Sequence, residues 1–237
     1  MKKNSFERFI SKYNLNGVAE SVIIESKGNS VSTKFITDDK SAAGFITTNQ
    51  LELPSGEFGV YDTKQLRSLL SVLDEDVKVT LLTRNDGTPI GFEMRSGGTK
   101  VQYSLADKKT IPQAPAMKNL PPFEVEIDLD SNFVQTFTKA KSALPEADNF
   151  TVLTENNSTT VVVGWSEQNT NRVSIDTTST VTNDIEPVSF SAQYFKDMLL
   201  SNKEMASGKL KVSSKGLAHV TFEIEGFSVD YYLVKIS

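Results

Sequence analysis

The sequence predicts an α+β protein made of two similar halves, each with two helices set among hairpin-forming strands. Three observations carry this. Alternation of apolar and polar residues at period two runs through most of the 237 residues. Four short stretches break it with the three-and-four spacing of an amphipathic helix. The whole order of elements then occurs a second time, about 128 residues later.

The first half opens with a helix over 4–14, its apolar side marked by Phe6 and Phe9. A hairpin follows (21–26 and 31–37), turning at Gly28-Asn29, residue types that accept positive φ. Strands are expected at 42–48 and 57–61. A helix over 63–73 has the stripe Leu66, Leu69, Leu70 and Leu73, and strands at 76–84, 90–95 and 99–106 close the half. Ser96-Gly97-Gly98-Thr99 reads as the turn between the last two strands, not as a phosphate loop, because no helix follows it.

The second half repeats that order. A helix over 131–143 has Phe133, Val134 and Phe137 on its apolar side, and a hairpin (149–155 and 159–165) turns at Asn156-Asn157. Strands at 171–177 and 187–191 lead to a helix over 193–203 with Phe195, Met198 and Leu199 inward. Strands at 208–214, 217–224 and 226–236 end the chain. Individual residues repeat as well. Val101-x-Tyr103-x-Leu105 matches Val229-x-Tyr231-x-Leu233, and Phe6-x-x-Phe9 matches Val134-x-x-Phe137, both at a separation of 128. Phe92-Glu93-Met94 matches Phe222-Glu223-Ile224 at 130, the first half having the longer turn. Between the halves, Pro112, Pro115, Pro121 and Pro122 forbid continued pairing. The expected organisation is therefore a first domain (1–107), an extended connector (108–122) and a second domain (123–237).

Composition narrows the chemistry. Hydrophobic residues make up 38% of the chain, enough for packed cores. The absence of cysteine removes disulfides, thiolate metal sites and cysteine nucleophiles together. No apolar run reaches the roughly 18 residues of a bilayer-spanning helix, and the basic N-terminus leads into an amphipathic segment, not a signal core. The expectation is a reduced, intracellular protein with no membrane segment.

The net charge of −5 argues against a nucleic-acid partner until it is divided by element. Helical windows 2–14, 63–73, 131–143 and 192–203 hold Lys2, Lys3, Arg8, Lys12, Lys64, Arg67, Lys139, Lys141, Lys196 and Lys203. Only Glu7 and Asp197 oppose them, so these windows carry +8 and the remainder −13. An acidic protein can thus present basic surfaces, here without base-reading motifs, as sequence-independent phosphate attraction requires.

Other suggestive residues have plainer readings. His219 alternates with Ala218, Val220 and Phe222 and is expected on the polar face of a strand. Asp38-Asp39 and Asp74-Glu75-Asp76 stand beside turns, and Trp165 ends a strand. Asn149-Phe150-Thr151 and Asn157-Ser158-Thr159 match glycosylation acceptors, without a signal peptide to give the match weight. No catalytic constellation, metal-ligand cluster or cofactor motif emerges, so the chain is read as a non-enzyme.

With these features assembled, the chain resembles the DNA polymerase sliding clamps, most of all the two-domain trimeric clamps of tailed bacteriophages. The resemblance is most specific at Phe58-Gly59-Val60-Tyr61-Asp62 leading into Leu66-x-x-Leu69-Leu70-Ser71-x-Leu73, and at the strand Phe227 to Ile236. It implies two clamp-fold domains, each with two helices packed on antiparallel sheets, assembling into a closed ring of three subunits. The helices would line a hole around double-stranded DNA, bound without sequence specificity at the ten basic residues. A clamp loader would place the ring, and DNA polymerase would bind it for processive synthesis, in the host cytoplasm if the protein is viral. The strand near Lys100–Ala106 would pair with that near Arg172–Thr177 of a neighbour. Ile111, Pro112, Met117 and Leu120 are candidates for partner binding, or for packing of the connector on its own domain. A β-rich structural virion protein is a second reading, although it has no need of basic helices. A monomeric processivity factor of the same fold is a third.

Overall fold

The computed structural model describes residues 1–168 and 171–236. Among them the chain forms two compact units. The first comprises Met1–Ile36, Gly44–Ala114 and Glu225–Val229, the second Thr37–Ala43, Pro115–Ile224 and Asp230–Ser237. The long break between units falls at Ala114/Pro115, inside a segment with one 3₁₀ turn (Lys108–Thr110) and otherwise no regular structure up to Val125.

In the first unit, α1 (Lys3–Asn14) precedes β1 (Val22–Lys27), β2 (Ser30–Ile36), β3 (Ala42–Thr48) and β4 (Gly56–Val60). Then come α2 (Thr63–Ser71), β5 (Lys78–Thr83), β6 (Pro89–Ser96) and β7 (Thr99–Ser104). The strands run in the orders β4-β1-β2-β3 and β5-β6-β7. The second unit has β8 (Val125–Asp128), α3 (Ser131–Ala143), β9 (Asn149–Glu155), β10 (Ser158–Val163), β11 (Val173–Asp176) and β12 (Ser179–Val181). It continues through β13 (Val188–Ser191), α4 (Ala192–Ser201), β14 (Ser207–Ser213), β15 (Leu217–Ile224) and β16 (Phe227–Val234). Its orders are β13-β9-β10-β11 and β12-β8-β14-β15-β16.

The duplication is therefore topological as well as sequential. β4-β1-β2-β3 corresponds to β13-β9-β10-β11, and β5-β6-β7 to β14-β15-β16. The two hairpins reach the same geometry through different turns: Gly28 has φ of +60°, whereas Asn156 and Asn157 both lie in the left-handed region, at 51° and 61°. Two strands were not legible in the sequence. β8 and β12 have only four and three residues, too few to show a period, yet Val125 and Ile127 are fully buried in β8. The first half reduces β8 to a single bridge, Lys2 to Asp76, where Lys3 N–H donates to the Glu75 carbonyl at 2.8 Å.

Each helix buries one stripe. Phe6, Phe9, Ile10 and Tyr13 of α1 and Leu66 and Leu70 of α2 are fully buried, with Leu73 just beyond α2 nearly so. Tyr13 Oη lies 3.2 Å from Thr63 Oγ1, joining α1 to the start of α2, and burial pushes the Tyr13 hydroxyl well above its ordinary pKa. In the second unit the core is aromatic. The Phe137 ring stands 5.5 Å from Phe150 and 4.8 Å from Phe195, edge to face in both cases, pinning α3 and α4 to β9. Because Phe137 has no exposed surface, Phe137→Ala should lower unfolding free energy by about 3–5 kcal/mol in urea titration. A loss below roughly 1 kcal/mol would show that this cluster does not anchor the helices.

Candidate nucleic-acid interface

The basic residues reach their positions because each helix is anchored on the opposite side. α2 starts at Asp62, whose carboxylate accepts from Gln65 N–H at 2.7 Å, while Glu20 Oε2 accepts from Lys64 N–H at 2.9 Å. With Leu66 and Leu70 buried, Lys64, Arg67, Ser68 and Ser71 form the exposed face. α3 starts likewise at Asp130, which accepts from Phe133 N–H at 2.7 Å, and α4 at Ser191, which accepts from Tyr194 N–H at 3.3 Å. Asp62, Glu20 and Asp130 thus sit at the N-termini of α2 and α3, where main-chain N–H groups hold them, and not along the exposed basic faces of those helices.

The ten predicted residues divide into three groups. Lys64, Arg67, Lys139 and Lys203 are exposed. Lys2, Lys3, Arg8 and Lys196 reach solvent but are tethered. Lys2 pairs with Asp76 at 2.6 Å, which raises the lysine pKa and lowers that of the carboxyl, and Lys3 Nζ donates to the Leu73 carbonyl at 2.6 Å. Arg8 Nη1 donates to Gln50 Oε1 at 3.0 Å, and Lys196 Nζ bonds Ser142 Oγ at 3.1 Å. Ser142 lies one turn from Lys139, so Lys139 and Lys196 belong to one α3–α4 surface.

Lys12 and Lys141 form the third group and correct the sequence expectation, for both are buried. Lys12 has no exposed surface and places Nζ 4.9 Å from the centre of the Phe227 ring, which Arg8 also covers at 4.9 Å. Lys141 is 6% exposed and donates to the Pro145 carbonyl at 2.7 Å, holding the chain that leaves α3. Helical spacing could not reveal this, because the covering groups lie outside the helix.

Ile111 packs on its own unit, one of the two readings given for the connector. It is 4% exposed and belongs to the core of the first unit, whereas Pro112 and Leu120 are exposed and Met117 half-exposed. Gly59 explains part of its neighbourhood. A Cβ there would stand 2.5 Å from the Ala106 carbonyl oxygen and 3.0 Å from Ile111 Cδ1, so only glycine admits this close approach. His219 lies on the polar side of β15 but is largely covered, 2.8 Å from Asp230 Oδ1 and stacked on Tyr232 at 4.5 Å.

One feature escaped the sequence reading. Val72 and Leu200, exposed apolar residues at the ends of α2 and α4, stand 128 apart and could have been found by applying the repeat offset to surface residues. The two strands that the resemblance pairs between subunits, β7 and β11, each end a sheet. Among the described residues no group of acidic or histidine side chains could hold a metal ion, and no helix is long and apolar enough to cross a membrane.

Asp197 is the one acid within these helices that is buried. Burial pushes its carboxyl above the ordinary aspartate range, outweighing the 2.8 Å hydrogen bond from Gln193 and the charges of Lys196 and Lys141. The unfolded chain therefore ionises this group more readily, and stability falls as pH rises from about 3.9 through the folded value. Asp197→Asn should accordingly be more stable than the parent at pH 7 and lose that advantage in acid, as thermal melts across pH would show. A parent protein more stable at neutral pH would reverse the assignment.

No protein-family model and no curated protein sequence matches this chain. Solved structures do. Proliferating cellular nuclear antigen (PCNA) from Entamoeba histolytica is similar over 100% of this chain and 96% of its own, with a TM-score of 0.74 and 14% identity. A. fulgidus PCNA, in a structure with the C-terminal region of FEN-1 bound, covers 100% and 97%, with a TM-score of 0.74 and 12% identity. Two repeated α+β units, four helices and antiparallel sheets, alike over the full length of these proteins, identify the fold of this chain as that of the DNA sliding clamps.

Proposed function

We propose that this chain is one subunit of a DNA sliding clamp, most like those of tailed bacteriophages, that closes as a homotrimer around duplex DNA. The observation that carries the reading is the character of the helix faces: Lys64, Arg67, Lys139, Lys196 and Lys203 reach solvent, while Asp62 and Asp130 are held at the N-termini of α2 and α3 and Asp197 is buried. Flexible cations of this kind neutralise phosphates without reading bases, which lets a ring translate along DNA. Lys2, Lys3 and Arg8 add to the field, and Lys12 and Lys141 support the helices from within.

The chain acts by tethering, not by catalysis. A clamp loader opens and places the ring, inside the cell and in host cytoplasm if the protein is viral, and DNA polymerase then docks on it. A. fulgidus PCNA holds the C-terminal region of FEN-1, and a comparable use of partner segments is proposed here, with Pro112, Met117 and Leu120 as the accessible connector residues. Subunits join through the free strands β7 and β11, which removes exposed edges by closure.

Reversing Lys64 and Arg67 to glutamate together should weaken DNA retention roughly tenfold or more at physiological salt, with circular dichroism unchanged. Unaltered loader-dependent polymerase stimulation would contradict a DNA-facing role for α2. Mass measured across a dilution series should show three chains of 26.1 kDa associated at high concentration. A monomer at every concentration would remove the ring.

A further inference from the structure

The two units finish equivalent sheets differently. In the second, β14 is flanked by β8, where Ile127 faces Leu210 and Val125 faces Val212, and β8 is flanked in turn by β12. In the first, only the segment from Met1 to Lys3 runs beside the chain entering β5. Met1 and Val77 exchange main-chain hydrogen bonds at 2.9 and 3.0 Å, and the pairing goes no further. Val77 thus directs its N–H and C=O away from β6, and Val79 and Leu81 share its parity. Among the described residues no strand pairs with them, and β5 ends its sheet on the side opposite β7.

The uncovered edge has the chemistry of the covered one. Lys78-Val79-Thr80-Leu81 follows the order of Lys209-Leu210-Lys211-Val212: lysine, apolar, polar, apolar. Leu210 and Val212 have no exposed surface, whereas Val79 and Leu81 are only half-buried, as side chains are when the strand beside them is missing. On the outer face, β8 meets β14 through charge. Glu126 pairs with Lys209 and, at 3.1 Å, with Lys211, and Asp128 stands 3.8 Å from Lys209. The outer face beside β5 is cationic too, with Lys78, Arg95 and Lys100 in one row across β5, β6 and β7. Glu93 binds Arg95 at 2.7 Å and reaches Lys100 at 3.7 Å, while Lys78 makes no ion pair among the described residues.

We infer that β5 is a docking edge for an extended segment of a partner protein in which apolar residues alternate with acidic ones. The segment adds antiparallel to β5 from Lys78 to Leu82, and the irregularity between Leu82 and Thr83 ends the usable edge. Its apolar residues face Val79 and Leu81 and exchange main-chain bonds with both, covering them as Ile127 and Val125 cover Leu210 and Val212. Its acids face Lys78 and Thr80, on the side where Arg95 adds positive charge. Main-chain bonds supply affinity, and the alternation of apolar and acidic residues supplies selection. Sheet-ending strands of this chain such as β7 and β11 bring Lys100 and Arg172 beside their apolar residues. Those cations oppose Lys78, so the edge fits a different protein better than a second copy.

The probe is a synthetic peptide with the sequence of residues 123–130, which contains β8, added to the full chain and read by amide hydrogen exchange. At saturation the amides of Val79 and Leu81 should exchange about tenfold more slowly. A peptide N-methylated at the residue corresponding to Ile127 should give no protection, since it lacks the N–H that β5 must receive. Replacing the peptide's acids by their amides should weaken binding about fivefold. Val79→Pro removes an outward N–H and leaves the bonds to β6 in place, and it should abolish protection of Leu81. Equal protection by the N-methylated peptide, protection confined to another strand, or none at millimolar peptide would each overturn the proposal. Protection of Val79 and Leu81 that rises with protein concentration alone would give the edge to a second copy and overturn the partner. Because β5 and β7 lie on opposite sides of their sheet, none of these outcomes depends on closure of the ring.

Discussion

Each helix of this protein has one apolar stripe, and that stripe must be covered by a sheet. The rest of the architecture depends on this constraint. Once Leu66 and Leu70, or Phe137 and Phe195, are fixed inward, most of the remaining positions on each helix turn outward, with Lys12, Lys141 and Asp197 as buried exceptions. Charge then separates without any requirement for a single basic sequence block. The capping carboxylates Asp62 and Asp130 strengthen the separation, since a negative charge is best placed at a helix N-terminus and these acids leave the exposed faces to lysine and arginine.

Duplication extends the logic from one unit to two. The same order of helices and strands arises twice because the same alternation of periods arises twice, and the copies tolerate different turns and different tyrosine contacts. Tyr103 donates to the Asp62 carbonyl at the start of α2, whereas Tyr231 accepts from Asn202 at the end of α4. Equivalent positions in the two strands thus brace opposite helix ends. What persists between the copies is burial of the ring, with the hydroxyl finding whichever partner is near.

A repeated sheet also leaves repeated edges. β7 and β11 end their sheets with main-chain groups directed at solvent, a condition that proteins normally cover, blunt or use. Both edges are consequences of the same hydrogen-bond ladder that builds each unit, since β7 and β11 each pair on one side only.

Much of this was legible from residue order. Long periodic segments declared themselves, and α3 and β15 run over the predicted residues, because eight or more positions suffice to display a period. The duplication and the basic character of the helices needed only counting. β8 and β12 could not be read, being too short to show alternation. Burial was harder still. Lys12 and Lys141 look like surface groups in a linear pattern, and each is enclosed by atoms the pattern does not contain. Phe227, far along the chain, covers Lys12, and the Pro145 carbonyl receives Lys141. Periodicity is a local property of the chain and suffices for elements, repeat and charge. Which lysines meet water and which strand edges stay unpaired depend on what packs opposite, and folding alone supplies that.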